Sequence, residues 1–179
     1  MQVQVDENIS LQPITISHAD SMMDLINANR IYLRQWLPWV DNMRTIENAK
    51  ANIEDCALRA AAKTDFTFVI MFNNKMAGRI GIHHVNQQNK IGEIGYWLAD
   101  NMQGHGIITK SCVALISYGF QTLGLNRIEI KCATGNVKSK AVADKLKFKF
   151  EAVLIEAELV NGKFLDLYQF AMLKKDWQG

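Results

Sequence analysis

The chain has 179 residues, of which 49% are hydrophobic and 21% charged, with a formal net charge of +2. That length buries about two-thirds of the unfolded surface around one core and is short for two ordinary domains, so residues 1–179 read as a single domain. The near balance of charge argues against a nucleic-acid-binding stripe and against an acidic tail, so any anionic partner must be held by a local site. Cys56, Cys112 and Cys132 are far apart and lack CxxC or Cys/His ligand spacing, which predicts neither disulfides nor a metal site and fits a reduced cytoplasm. Met1 to Ser10 has no basic segment followed by an apolar run, and no apolar stretch is long enough to span a bilayer, so no membrane partner is expected.

Ile9 to Ile14 alternates as a short edge strand does, and Ser17-His18-Ala19-Asp20 has the form of a capping box. The helix it would open has Ala19, Met22, Met23 and Ile26 as its apolar face. The aromatic stretch Ile31 to Val40 is broken by Pro38, which predicts a second short helix ending in a bend. Trp36 and Trp39 within it read as packing residues or as walls of a groove. Glu47 to Lys63, rich in alanine and free of Gly and Pro, predicts a third helix.

From Asp65 the period shortens to that of strands. Phe66 to Phe72, a turn at Asn73-Asn74, Met76 to Val85, a turn at Gln87-Gln88-Asn89, and Ile91 to Leu98 make an antiparallel meander. His83 and His84 are adjacent on a strand, point to opposite faces and so make no metal pair. After a glycine turn, Val113, Ile116, Phe120 and Leu123 recur at helical spacing until Gly124 ends the run. Arg127 to Cys132 is a strand, Lys138 to Lys147 a short helix, and two last strands flank Asn161-Gly162, a hairpin signal. Hairpin-linked neighbours dominate. The expected fold is α+β: a mixed, mostly antiparallel central sheet of about seven strands with helices on both faces.

The turn Gln103-Gly104-His105-Gly106-Ile107-Ile108-Thr109 sets two glycines one residue apart between a strand and a helix. Such a turn lets backbone approach a ligand while several N–H groups converge on it, a geometry that binds phosphate. Glycines also serve a loop entering a helix for steric reasons, so the pattern alone leaves both readings open. No Gly-Lys-Ser/Thr and no third glycine follow, which tells against nucleotide hydrolysis and hydride transfer.

Gln103 to Ile108 resembles the Gln/Arg-x-x-Gly-x-Gly/Ala cofactor signature of the GNAT N-acetyltransferases. Glu93-Ile94-Gly95-Tyr96-Trp97-Leu98 ahead of it is similar to the branch that acetylates ribosomal-protein N-termini. Asn136-Val137-Lys138-Ser139, then Ala143, then Lys147-Phe148 is similar to the second segment of that family at matching spacing. The likeness runs from Phe66 to Trp177. Three residues depart from it: Ile108 is larger than usual, Val137 replaces a common Pro, and Lys147 replaces the usual Gly before Phe148. Backbone phosphate binding is indifferent to the first. The Lys147 change bears on the helix end beside the cofactor, because Gly takes a left-handed cap without strain.

The resemblance implies direct transfer from acetyl-coenzyme A to a primary amine. It assigns the cofactor to Trp97, Leu98, Asp100, Gln103, Gly104, His105, Gly106, Ile107, Ile108, Thr109, Asn136 and Ser139. The strand residues would pair with the pantetheine arm and the turn would hold the pyrophosphate, His105 through its backbone N–H. Lys138 and Lys140 are further candidates for the phosphates. Glu158 or Glu93 is the candidate base, acting through water, with a solvated strand glutamate as the plain alternative. Ser139 is the candidate proton donor to the leaving thiolate, since the tyrosine that many relatives use falls at Ala143; a serine that only caps the helix start is the alternative. No metal is implied. The acceptor is a protein N-terminus, as of a ribosomal protein, or a small amine such as a polyamine, amino sugar or amino acid; an acyl-coenzyme A-binding protein without turnover is a third reading. A homodimer is expected because relatives often form one.

Overall fold

The computed structural model describes residues 2–178. In chain order it has β1 (Val3–Gln4), β2 (Ile9–Pro13), α1 (Ala19–Leu33), α2 (Ile46–Ala61), β3 (Phe66–Phe72), β4 (Lys75–Asn86) and β5 (Ile91–Leu98). There follow α3 (Ile107–Gln121), β6 (Arg127–Ala133), α4 (Val137–Lys145), β7 (Lys149–Val160) and β8 (Lys163–Leu173). All strands join one sheet in the order β1-β2-β3-β4-β5-β6-β8-β7. Every junction is antiparallel except that of β5 with β6.

This is the expected α+β sheet with one strand more than the seven anticipated. The extra strand, β1, pairs outside β2, so Ile9–Pro13 is not the edge. Asp6 makes it possible: its carboxylate accepts from the backbone N–H groups of Asn8 and Ile9 at 2.9 and 2.8 Å, a local turn that folds the first residues back.

Strand alternation feeds two cores. Ile80, Ile82, Ile94, Leu98, Ile128, Ile130 and Phe170 pack against Cys112, Leu115, Ile116 and Phe120 of α3 and Ala143 of α4. On the other face Val69, Met76 and Trp97 pack under Ala19, Met22, Met23, Ile26 and Leu33 of α1 and Ala49 and Ile53 of α2. Each large aliphatic side chain so enclosed contributes about 1.5–3 kcal/mol over its exposed state. Helices therefore cover both faces, as the alternation of apolar segments predicts. Arg79 of β4 lies half-buried beneath the first two helices, where it donates to Asn52 Oδ1 at 2.7 Å and approaches Cys56 Sγ at 3.5 Å. It ties α2 to the sheet, and a guanidinium, unlike an amine, stays charged there.

Two local expectations are corrected. Ser17 does not cap α1; a 3-10 turn, Ile16–His18, precedes the helix, and the backbone N–H of Thr15 donates to His18 Nδ1 at 3.0 Å. Ile31 to Val40 is not a second helix, because Ile31 to Leu33 complete α1 and only a 3-10 turn, Val40–Asn42, follows Pro38. Arg30 explains the detour: its guanidinium donates to the carbonyls of Val40 at 2.7 Å and Met43 at 2.6 Å, folding the segment back on α1. Thr45 then caps α2 by accepting from the Asn48 N–H.

Candidate functional site

β5 and β6 pair only at Ile91 to Glu93 with Arg127 to Glu129. Beyond that short seam β5 follows β4 as far as the Gly78–Leu98 pair, while β6 follows β8 as far as the Ala133–Leu167 pair, so the two strands part company. Gly78 permits the tight β4–β5 approach at this level, since a Cβ there would stand 2.2 Å from the Trp97 carbonyl oxygen. The β5 edge that faces the gap near Trp97 and Leu98 is left without a strand partner. An open cavity of about 700 Å³ occupies the gap. Its walls are Tyr32, Leu33, Trp36 and Leu37 at the end of α1, Tyr96 to Leu98 on β5, the glycine turn, and the start of α4.

The glycine turn forms one end. Gly104 and Gly106 both have left-handed backbone, φ +80° and +71°, which only glycine adopts cheaply. Gly106 is the N-cap of α3, and Ile107, buried, anchors the helix start. The first N–H groups of α3 have no partners within the helix, and its dipole is positive at this end. That combination suits a pyrophosphate. Lys138 Nζ donates to Gln103 Oε1 at 2.5 Å and lies 5.5 Å over the Tyr32 ring, joining three walls of the cavity.

The start of α4 forms the other end. Asn136 caps it, its side-chain oxygen accepting from the Ser139 N–H at 3.1 Å. Ser139 Oγ lies 2.9 Å from Tyr96 Oη, and Tyr96 Oη also reaches the Ser139 carbonyl at 3.2 Å. Burial pushes the Tyr96 phenol far above its ordinary range, so it stays protonated and acts as a hydrogen-bond donor. When it donates to Ser139 Oγ, the serine's own proton is free for a group in the cavity.

Glu93 and Glu158 lie outside the cavity lining; on β5 Glu93 shares the face of Trp97, opposite that of Tyr96. Glu93 accepts from Lys131 Nζ at 2.8 Å. Glu158 is half-buried, and burial, then the charge of Glu93, pushes its carboxyl above the usual carboxylate range. His83 pairs across the strands with Glu93 and holds Asp65 Oδ1 at 3.0 Å through Nδ1; burial pulls its imidazole below the usual value. His84 is exposed. Among the described residues no cluster of His, Cys, Asp and Glu is placed to hold a metal, and no helix is long and apolar enough to cross a membrane.

The model of the acetyltransferase (GNAT) domain matches residues 8–149. The chain belongs to the GNAT acetyltransferase family. A Bacillus subtilis (strain 168) protein named as a putative ribosomal N-acetyltransferase, YdaF, is 33% identical over 98% of this chain and 97% of its own length. A solved structure of RimL, a ribosomal alpha-N-protein acetyltransferase in complex with coenzyme A, is 28% identical, covers 97% of this chain and 98% of its own, and superposes with a TM-score of 0.94. The structure of the microcin C7 self-immunity acetyltransferase MccE, with acetyl-coenzyme A and AMP, is 30% identical over 94% of both chains, TM-score 0.90. As an acetyltransferase of this family, the enzyme draws its acetyl group from acetyl-coenzyme A.

Of the residues the sequence nominated for the cofactor, Trp97, Leu98, Asp100, Gln103, Gly104, Gly106, Ile107, Ile108, Thr109, Asn136 and Ser139 line the cavity. The His105 side chain does not; its ring turns toward Phe72, 6.1 Å between centroids. Lys138 lines the cavity, whereas Lys140 is occupied by Asp144 at 2.6 Å. Trp36 lines it too and lies against Gly135, while Trp39 packs on Trp97 at 6.2 Å. Lys147 takes the left-handed cap itself, at φ +59°. The residue that sequence reasoning passed over is Tyr96. Its parity with Ile94 and Leu98 marked it as facing α3 and α4, but its bond to Ser139 spans 43 residues of chain.

Proposed function

We propose that the enzyme acetylates the α-amino group of a protein N-terminus, of the ribosomal-protein kind. The observation that carries this reading is the character of the cavity mouth. Tyr32, Trp36 and Leu37 line it, and Asp100 is the one carboxylate among the cavity's described lining residues, against Lys138 and Lys145. A polyamine calls for several carboxylates to balance its charges, whereas a peptide end suits an aromatic wall that leaves its backbone polar groups free. The chemistry supports it as well. At pH 7 an α-amino group of pKa about 7.7 to 8 is roughly a tenth to a fifth neutral, against under a thousandth for lysine, so one half-buried carboxylate suffices as base.

Bound acetyl-coenzyme A supplies an activated acyl carbon and a thiolate leaving group. In the proposed arrangement the backbone N–H groups from Gly104 to Thr109 hold its pyrophosphate, and the free edge of β5 at Trp97 and Leu98 pairs with the pantetheine arm. Glu158 accepts a proton from the incoming ammonium through water, with Glu93 raising its proton affinity by charge. Ser139, fixed by Asn136 and accepting from the Tyr96 phenol, donates its own proton toward the departing sulfur. Three free, buried cysteines support residence in a reducing cytoplasm, and the exposed apolar side chains Phe150, Ile155, Leu159 and Phe164 of the last hairpin support a homodimer.

The test is a competition among acceptors. Peptides with free N-termini, the same peptides blocked at the N-terminus, spermidine, glucosamine and free amino acids are offered with acetyl-coenzyme A, and products are read by mass spectrometry. The free N-termini are expected to react fastest. A polyamine or amino sugar with the highest kcat/KM overturns the acceptor assignment.

A further inference from the structure

Trp97 is 7% exposed and lines the cavity, yet its indole Nε1 has no hydrogen-bond partner. Buried donors are almost always satisfied, so an orphan at the wall of a binding cavity marks a place where a ligand atom completes the bond. Its position narrows the ligand. Tyr96 and Leu98 belong to the core under α3 and α4, whereas Trp97 belongs to the opposite core, tilted against Trp39 beneath α1. That side carries Glu93, four residues back on the same face of the strand, whose charge acts on Glu158. Trp97 thus shares the sheet face of Glu93, whose charge acts on the proposed base, while its neighbour Tyr96 reaches the Ser139 hydroxyl.

An N–H donor at that point recognises an oxygen close to the attacking nitrogen. In an α-aminoacyl group the carbonyl oxygen is separated from the nitrogen by only two carbons; a polyamine has no oxygen at all. Resting on the N-terminal reading above, we propose that Trp97 Nε1–H donates to the carbonyl oxygen of the acceptor's first residue and so makes this a site for α-aminoacyl ends. Trp97 is on this account a specificity residue. Trp39, tilted against its ring, holds the indole in place.

The experiment pairs a substitution with a substrate change. Initial rates are measured for wild type and Trp97→Phe with a short peptide bearing a free N-terminus, and with its analogue in which the first carbonyl is reduced to methylene. Compared as kcat/KM for the neutral amine, from rates followed from about pH 7 to about pH 10, wild type is expected to prefer the parent peptide by on the order of tenfold, the usual worth of one buried hydrogen bond to an otherwise unpaired group. Trp97→Phe is expected to lose that preference by slowing the parent alone. Equal slowing of both acceptors, or no slowing of either, overturns the inference, the first because the donor then serves packing or the donor substrate and the second because it needs no ligand. Wild type alone decides the matter if the variant does not fold: no preference for the carbonyl sinks the inference. Failure of wild type to acetylate the parent peptide overturns the acceptor assignment together with it, whereas turnover without discrimination overturns only the role of Trp97.

Discussion

Replacing Glu158 by Gln preserves volume and removes the ability to take a proton, which makes it the sharpest test of the proposed base. Burial and the charge of Glu93 hold the Glu158 carboxyl above its ordinary range, so activity that needs the carboxylate falls as pH drops through that raised value. The size of the effect comes from the acceptor. With roughly a tenth to a fifth of an α-amino group already neutral near pH 7, loss of a base that only removes this proton costs about five- to tenfold in kcat/KM. By about pH 9 solution deprotonates the amine and the deficit disappears. A lysine acceptor would lose on the order of a thousandfold near neutrality. Thiol release with a free N-terminal peptide, followed across that pH span, measures the curve. No deficit near pH 7, or one that persists unchanged into alkali, refutes the assignment. Stability supplies a second readout with a fixed sign. A carboxyl whose pKa is raised by folding costs nothing below its unfolded pKa and destabilises above its folded one, so Glu158→Gln is expected to raise Tm at neutral pH and leave it unchanged in acid.

Glu93→Gln removes one of the two causes that hold Glu158 up, so the acid limb of the pH–rate profile is expected to move to lower pH; a shift the other way contradicts the coupling. Tyr96→Phe deletes the phenol that sits 2.9 Å from Ser139 Oγ and is expected to slow single-turnover transfer about three- to tenfold with coenzyme A binding unaltered. Lys147→Gly relieves a left-handed side-chain-bearing residue at φ +59°, worth about 1–2 kcal/mol, against about 0.5–1 kcal/mol of added chain entropy. A Tm rise of about 1–4 °C by scanning calorimetry is expected, and a fall contradicts the strain.

Local periodicity made the central meander, the Asn161-Gly162 hairpin and the strand-turn-helix unit readable, because each is specified within a dozen residues. Asn161 and Gly162 indeed take φ +50° and +75°, the two positive values that such a turn requires. The two-residue β1 was not readable: nothing in Val3–Gln4 has a period, and only the Asp6 turn brings it to β2. Nor was the route from Ile31 to Val40, which Arg30 sets by reaching 10 and 13 residues along the chain. At the site the glycine turn at the start of α3 was legible from spacing and the family likeness. The separation of Glu93 from the Tyr96 wall lay in plain strand parity. What spacing does not encode is contact across the fold: Tyr96 with Ser139, and the Asn161 side chain with the Arg34 carbonyl at 2.6 Å, which ties the hairpin tip to the end of α1.

The seam between β5 and β6 has a mechanical consequence. Three residue pairs, Ile91 to Glu93 with Arg127 to Glu129, are all that stitches one half of the sheet to the other by strand pairing. In the proposed arrangement a cofactor lying in the gap would continue that stitching with its own amides, and so would behave as a detachable piece of the fold. Ligation by a group that binds only the folded chain stabilises it by RT ln(1 + [L]/Kd), about 2.7 kcal/mol at a hundredfold excess over Kd. Amide exchange at Trp97, Leu98 and along the gap-facing end of β6 is where that protection should concentrate, while β3 and β4, already paired on both sides, remain as slow as before.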